Sequence, residues 1–176
     1  MSKKSPNYKN KMNLPPYDKF PEIDSETIIL REIQDDDIKD VVEISFYDAM
    51  PALTVEKAKE MQDRINQDYQ NGSSIHWGIA NKQTNQIMGT LGYYRGFNHG
   101  IGELGCVLKS EFHGKGFMTT AMKMAAEFGL NNIGLTKVIA ITDRQNNSAI
   151  KLFNRVGFVK TRDLEENEIE YQFVNK

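Results

Sequence analysis

The sequence predicts an α/β fold in which one mixed sheet carries helices on its faces. Three observations lead there. From Thr27 onward, short apolar or β-branched runs alternate with segments of helical spacing, in the order β-α-α-β-β-β-α-β-α-β-β. The helical segments open at residues suited to capping, Asp35, Thr54 and Asn146. One strand runs directly into a helix through a turn with two glycines, His113-Gly114-Lys115-Gly116.

Thr27-Ile28-Ile29-Leu30-Arg31-Glu32-Ile33 reads as the first strand. Asp35 to Asp37 then supply a cap and a negative first turn, with Ile38, Val41, Val42 and Ser45 following at helical spacing. Thr54 caps a second helix with Val55, Ala58, Met61, Ile65 and Tyr69 on one face, and Asn71-Gly72 ends it. Ile75 to Asn81 and Gln86 to Phe97 are strands across a polar turn, and Gly102 to Leu108 is the next, after Asn98-His99-Gly100. The third helix presents Met118, Ala121, Met122, Ala125 and Phe128. Lys137 to Thr142 is a buried strand by its β-branched cluster. Asn146 opens the last helix, with Ala149, Leu152, Phe153 and Val156 inward and Gly157 beyond its end. Phe158 to Arg162 and Ile169 to Val174 close the chain as a hairpin.

A length of 176 residues suits a single domain with its own core. Residues 1–25 are rich in Lys, Asn and Pro and lack periodicity. They read as a flexible arm, or as one whose Tyr8, Tyr17 and Phe20 pack on the domain or on a partner; residues 26–176 form the domain. The net charge of −2 offers no global field to nucleic acid or an acidic membrane, so neither is expected as a partner. A single cysteine, Cys106, excludes an internal disulfide framework. His76, His99 and His113 show no ligand spacing, so no metal is expected. The basic opening lacks an apolar core of a secretory signal, and no apolar run approaches the about 18 residues of a membrane span, so the cytoplasm is the expected location.

The segment from Cys106 to Thr119 carries the most chemistry. Its glycines let backbone approach a ligand, and the first N–H groups of the helix that follows lack internal partners. From His113 to Thr120 there is no acidic residue to fill that helix start, and Lys115 stands there instead. An external phosphate fits this pattern; an ordinary glycine turn with a surface lysine is the alternative. Gly100-Ile101-Gly102-Glu103-Leu104-Gly105 spells a dinucleotide fingerprint, but the residues after it continue as strand rather than helix, so a nicotinamide site is not expected.

These residues resemble the GNAT superfamily of acyl-CoA N-acyltransferases. His113-Gly114-Lys115-Gly116-Phe117-Met118 lies on the superfamily's R/Q-x-x-G-x-G/A loop. Asn146, Ala149, Leu152, Gly157 and Phe158 fall on its later N-x-x-A-x-x-L-Y-x-x-x-G-F segment. The stretches Thr27 to Arg31 and His76 to Tyr93 look like the RimJ/RimL-like branch, which acetylates protein N-termini or small amines. The resemblance spans about Glu26 to Val174 and implies a central twisted sheet of about seven strands flanked by about four helices. Three positions depart from the pattern: His113 for Arg or Gln, Met118 for a small residue, and Phe153 for the tyrosine that often serves as general acid.

The resemblance implies acetyl-CoA as co-substrate and a primary amine as acceptor, with direct attack by the amine. It places the cofactor on Cys106, Leu108, His113, Gly114, Lys115, Gly116, Phe117, Met118, Thr119, Asn146 and Phe153, and the oxyanion on a backbone amide at Cys106. The Cys106 thiol itself reads as packing. Glu103 is the first candidate base, with a solvent-facing strand carboxylate as the equal alternative; Tyr93, Tyr94 or His76 acting through water is the second choice. Phe46, Tyr47, Met50 and Tyr69 read as core more readily than as acceptor lining. A GNAT-like module that binds acetyl-CoA without chemistry is the competing function, and a basic arm that recruits a partner is a third. A homodimer stays open.

Overall fold

The computed structural model describes residues 11–175. The chain runs β1 (Ile23–Asp24), β2 (Ile28–Arg31), α1 (Ile38–Val41), β3 (Phe46–Tyr47), β4 (Met50–Pro51), α2 (Val55–Gln70), β5 (Ile75–Asn81), β6 (Ile87–Tyr93), β7 (Ile101–Leu108), α3 (Phe117–Phe128), β8 (Lys137–Asp143), α4 (Asn147–Val156), β9 (Phe158–Asp163) and β10 (Glu168–Phe173). Eight strands form one sheet in the order β1-β2-β5-β6-β7-β8-β10-β9. Every neighbouring pair is antiparallel except β7 and β8, which are parallel. Only that pair needs a crossover, and α3 provides it.

Helices cover both sides of the sheet centre, which is why all seven residues of β6 are buried. One core joins the sheet to α3 and α4 through Trp77, Tyr93, Met122 and Phe153. On the other side Ile38, Ala58 and Met61 of α1 and α2 pack on Ile33, and Val41 packs with Ala80 and Ile87. Thr54 caps α2 as its sequence implies, accepting from the Lys57 N–H at 3.2 Å.

Residues 11–25 lie against this body. Met12, Tyr17, Phe20 and Ile23 pack on the main core. Trp77 Nε1–H donates to the Pro21 carbonyl at 2.8 Å, and the Tyr17 N–H donates to Tyr69 Oη at 3.0 Å. Tyr8 lies outside the described residues.

The stretch after Asp35 differs from a regular helix. It is one α turn between two 3-10 turns. The Ser45 hydroxyl donates back to the Val41 carbonyl at 2.7 Å, a local bond that competes with helix continuation. A small hairpin, β3–β4, follows, with Asp48 at φ 48° and Ala49 at φ 61°. Those two left-handed residues suit a tight hairpin turn, although neither is the Asn or Gly that would announce one. Val55, expected on the buried face of α2, is 44% exposed, and Met50 is 66% exposed rather than core.

Candidate active site

The parallel pair at the sheet centre comes apart. β7 and β8 pair at Ile101↔Lys137, Gly102↔Val138 and Glu103↔Ile139. Beyond that rung, β7 keeps β6 as its partner through Leu108, and β8 keeps β10 through Asp143. Each half holds its outer neighbour, so the sheet opens as a V between Leu104–Leu108 and Ala140–Asp143. The Lys109 N–H donates to the Met88 carbonyl at 2.9 Å, on the β6 side. Strand alternation then turns the N–H groups of Val107 and Gly105 toward β6, and those of Cys106 and Leu108 into the opening. His113 folds back to close one corner, its Nε2 lying 2.8 Å from the Leu108 carbonyl.

The opening leads to the glycine turn. Gly114 sits at φ 74° and Gly116 at φ 82°, a region that disfavours L side chains, and a Cβ at either would meet nothing within 4 Å. The loop therefore presents bare backbone to open space. Helix α3 starts with no side-chain cap and no acidic residue in its first turn. The N–H groups of Phe117, Met118 and Thr119 lie in that first turn, where α-helical bonding supplies no partner. Met118 is 9% exposed, so it offers backbone while its side chain fills the core. Lys115 holds its ammonium over the Phe112 ring at 5.6 Å, keeping a cation at the loop. A diphosphate fits this donor set: exposed N–H groups, a helix dipole and a nearby cation.

On the other flank of the V, Asn146 caps α4 by accepting the Ala149 N–H on Oδ1 at 3.1 Å, which leaves the amide nitrogen as its donor. Phe153 is buried, its ring centroid 5.7 Å from that of Phe158 and 5.3 Å from that of Tyr171.

A cavity of about 530 Å³ lies on the opposite side of β7 from α3, walled by α1, the β3–β4 hairpin and α2. Its floor is the α1–α2 face of β5, β6 and β7. Register places His76, Gly92 and Gly105 on one rung, and Gly78, Thr90 and Val107 on the next. By the same register Ser74, Tyr94 and Glu103 follow on the other side. Of the residues the sequence singled out, Glu103, Cys106, His76, Tyr94, Phe46 and Tyr47 line this cavity. Phe46 and Tyr47 are thus lining rather than core. Tyr69 is not: it packs on Phe20 and accepts from Tyr17. Tyr93 points to the other face, where its hydroxyl donates to the buried Ala125 carbonyl at 2.9 Å, so it is committed to structure and is no base.

The cavity is electronegative. Asp48, Asp68 and Glu103 line it, against one cation, Arg95. Burial raises the Glu103 carboxyl above its ordinary value; Arg95, with Nε 3.6 Å from Oε1, opposes this in part. Asp68 accepts the Tyr47 hydroxyl at 3.1 Å. Burial pushes His76 down to about 4, so its imidazole is neutral at pH 7. Burial pushes the Cys106 thiol up to about 12, and its Sγ rests 3.8 Å from Met122 Sδ. A thiol held protonated is a packing group, not a nucleophile. The sequence reading missed Asp48, Asp68, Ser74 and Arg95. Ser74 and His76 were the detectable pair, two polar residues at i and i+2 entering an otherwise apolar strand. Among the described residues no cluster of His, Cys, Asp and Glu could hold a metal, and no helix is long and apolar enough to cross a membrane.

A sheet parted between a parallel pair and running into a bare helix start leaves room for a long anionic ligand. The family described as the acetyltransferase (GNAT) domain matches residues 27–159, and the chain belongs to it: it is an N-acetyltransferase. The chain is 26% identical over 149 residues to the uncharacterised N-acetyltransferase YoaA of Bacillus subtilis (strain 168), covering 80% of this chain and 84% of that one. It is 33% identical to the spermidine N(1)-acetyltransferase of Escherichia coli (strain K12) over 60 residues, 34% of this chain and 32% of that one. The fold matches the ribosomal-protein-S5-alanine acetyltransferase from Vibrio fischeri with a TM-score of 0.69 at 20% identity, covering 88% of this chain and 97% of that one.

Proposed function

We propose that the protein moves the acetyl group of acetyl-CoA to a small primary amine that enters the cavity as a cation. One observation carries this reading. The stretch of β7 that leaves β8 behind, Leu104 to Leu108, includes the cavity-lining residues Gly105, Cys106 and Val107, with Glu103 at its root. Donor and acceptor thus meet at one strand, the donor along its opened edge and the acceptor on its α1–α2 face.

Acetyl-CoA, when bound, supplies the activated acetyl group. Gly114 to Thr119 would hold its diphosphate through loop and helix N–H groups, and the Leu108 amide and the Asn146 amide nitrogen would hold the pantetheine. The Cys106 N–H, turned into the opening, faces the carbonyl oxygen as negative charge develops there; one such donor is worth about 2.7–4 kcal/mol. An alkyl ammonium has a pKa near 10 and must shed a proton before it attacks. Glu103 takes that proton, directly or through one water, and its raised pKa makes it a stronger base than an exposed glutamate. The family's phenol beside the departing thiolate is absent, because Phe153 stands where the family pattern carries tyrosine. A thiol of pKa about 8.5 leaves without one.

The carboxylate-lined cavity favours a cationic amine, and the partial match to a spermidine acetyltransferase agrees with that class. The cytoplasm belongs to the same reading, as the compartment where acetyl-CoA and small amines meet. The test is an acceptor screen read by mass shift, with polyamines, alkylamines, amino acids and peptides bearing free α-amines. Acetylation of the small cationic amines is expected. Acetylation of peptides with no small amine modified would overturn the acceptor class.

A further inference from the structure

The cavity floor contains two polar atoms for which the described residues give no partner. Ser74 Oγ and His76 Nδ1 are both buried without a hydrogen bond, in residues 2% and 9% exposed, and both residues line the cavity. An unpaired buried donor or acceptor costs about 1–3 kcal/mol, so two at neighbouring positions on one face of the sheet call for a ligand. His76 lies on β5 and Ser74 directly precedes that strand, whereas the reacting end of the cavity is on β7. Two strand spacings separate them, about 9–10 Å.

An aromatic ring covers the floor between these ends. The His76 rung continues as Gly92 and Gly105, neither of which has a side chain. Tyr94 lies across it: its ring would crowd a Cβ on Gly105 at 2.9 Å, and its centroid is 5.4 Å from that of His76. An aromatic surface therefore spans from the reacting end to Ser74 and His76, suited to methylene groups. The polarity of the far end is also defined. A neutral imidazole nitrogen and a hydroxyl oxygen accept N–H donors, and the cavity carries Asp48 and Asp68 besides Glu103. Arg95, its one cation, lies near Glu103. An ammonium or amine fits there, and a carboxylate does not.

We propose that Ser74 and His76 form a specificity subsite for a second amino group of the acceptor, so that the enzyme prefers linear diamines to monoamines. This rests on the acceptor reading above. One amine is acetylated near Glu103 and Cys106 while the other donates to His76 Nδ1 and Ser74 Oγ, with the linking methylenes along Tyr94. His76 and Ser74 are positioning residues, since they act on the far end of the acceptor.

The test compares kcat/KM for putrescine, cadaverine and hexamethylenediamine with n-butylamine, n-pentylamine and n-hexylamine, in wild type, Ser74→Ala, His76→Leu and His76→Asn. The wild type is expected to prefer its best diamine at least about tenfold over the matched monoamine. His76→Leu and Ser74→Ala are expected to lower that ratio several-fold through the diamine KM, with acetyl-CoA affinity held. His76→Asn places an amide oxygen near the Nδ1 position and is expected to restore much of the ratio. Equal kcat/KM for diamines and monoamines in the wild type overturns the subsite and leaves the acceptor class standing. An unchanged diamine ratio in Ser74→Ala together with His76→Leu also overturns it, and if the leucine variant fails to fold, Ser74→Ala and the wild-type ratio decide. Acetylation of none of these amines overturns both readings.

Discussion

Glu103 and Ile139 form the last rung that β7 and β8 share. On one side of that rung the sheet is continuous. On the other side its backbone is free to meet a ligand, and Glu103 lines the cavity beneath α1 and α2.

Gly116→Asp is expected to weaken acetyl-CoA binding at least tenfold, about 1.4 kcal/mol. The substitution adds a side chain at φ 82° and a negative charge at the bare start of α3. Titration calorimetry on the purified variant reads it. Equal affinities for variant and parent would remove the loop from the site.

Replacing Glu103 by glutamine is expected to lower kcat/KM about 10²–10⁴-fold with acetyl-CoA affinity unchanged. The base must be ionised, so activity falls as the pH drops through its pKa. Burial raises that pKa, which puts the acid limb of the wild-type profile above the ordinary glutamate value of about 4.3. The glutamine variant should lose that limb. A profile that keeps it would pass the base role to another group.

The Cys106 thiol should resist alkylation by iodoacetamide at pH 7 in the folded protein and react once the chain is unfolded. Burial pushes its pKa up to about 12, and only the thiolate reacts. Rapid labelling of the native protein, followed by mass, would contradict this.

Asp37→Asn should destabilise the fold by about 1–3 kcal/mol. Arg31 grips Asp37 with two bonds, Nη1 to Oδ2 at 2.8 Å and Nη2 to Oδ1 at 3.0 Å. Burial alone would raise this carboxyl, but the bonds from Arg31 and the Gln34 N–H hold it below its ordinary value. A depressed folded pKa stabilises above the unfolded value, about 3.9, and that contribution is lost as the pH falls through the folded value. Urea midpoints at pH 7 and pH 3 check it: the gap between parent and variant should shrink at the lower pH.

Most of the sheet, the glycine turn and the uncapped start of α3 were legible because their signals are local. Gly114 and Gly116 announce a turn, and the missing acid after them announces a free helix start. The cap at Asn146 and the apolar face around Phe153 likewise sit within one helix. The cavity was not legible, because it is made by register. Ser74, Tyr94 and Glu103 are far apart in sequence and meet only through the pairing of β5, β6 and β7. The β3–β4 hairpin that walls it escaped for a different reason. Its turn uses Asp48 and Ala49 at positive φ, and the surrounding fold rather than turn-forming residues holds them there. Phe46 and Met50 looked like core because apolar residues usually are; here one lines a cavity and the other faces solvent.

The central claim is that the parted sheet and the carboxylate-lined cavity together perform acetyl transfer without a phenolic acid at Phe153. The most direct measurement is the stoichiometry of one reaction: free thiol released from acetyl-CoA against N-acetylated product, in the wild-type protein with a small cationic amine. Equal amounts of thiol and acetylated amine are expected, both dependent on the protein. A protein that binds acetyl-CoA yet releases thiol no faster with any amine than without would contradict it.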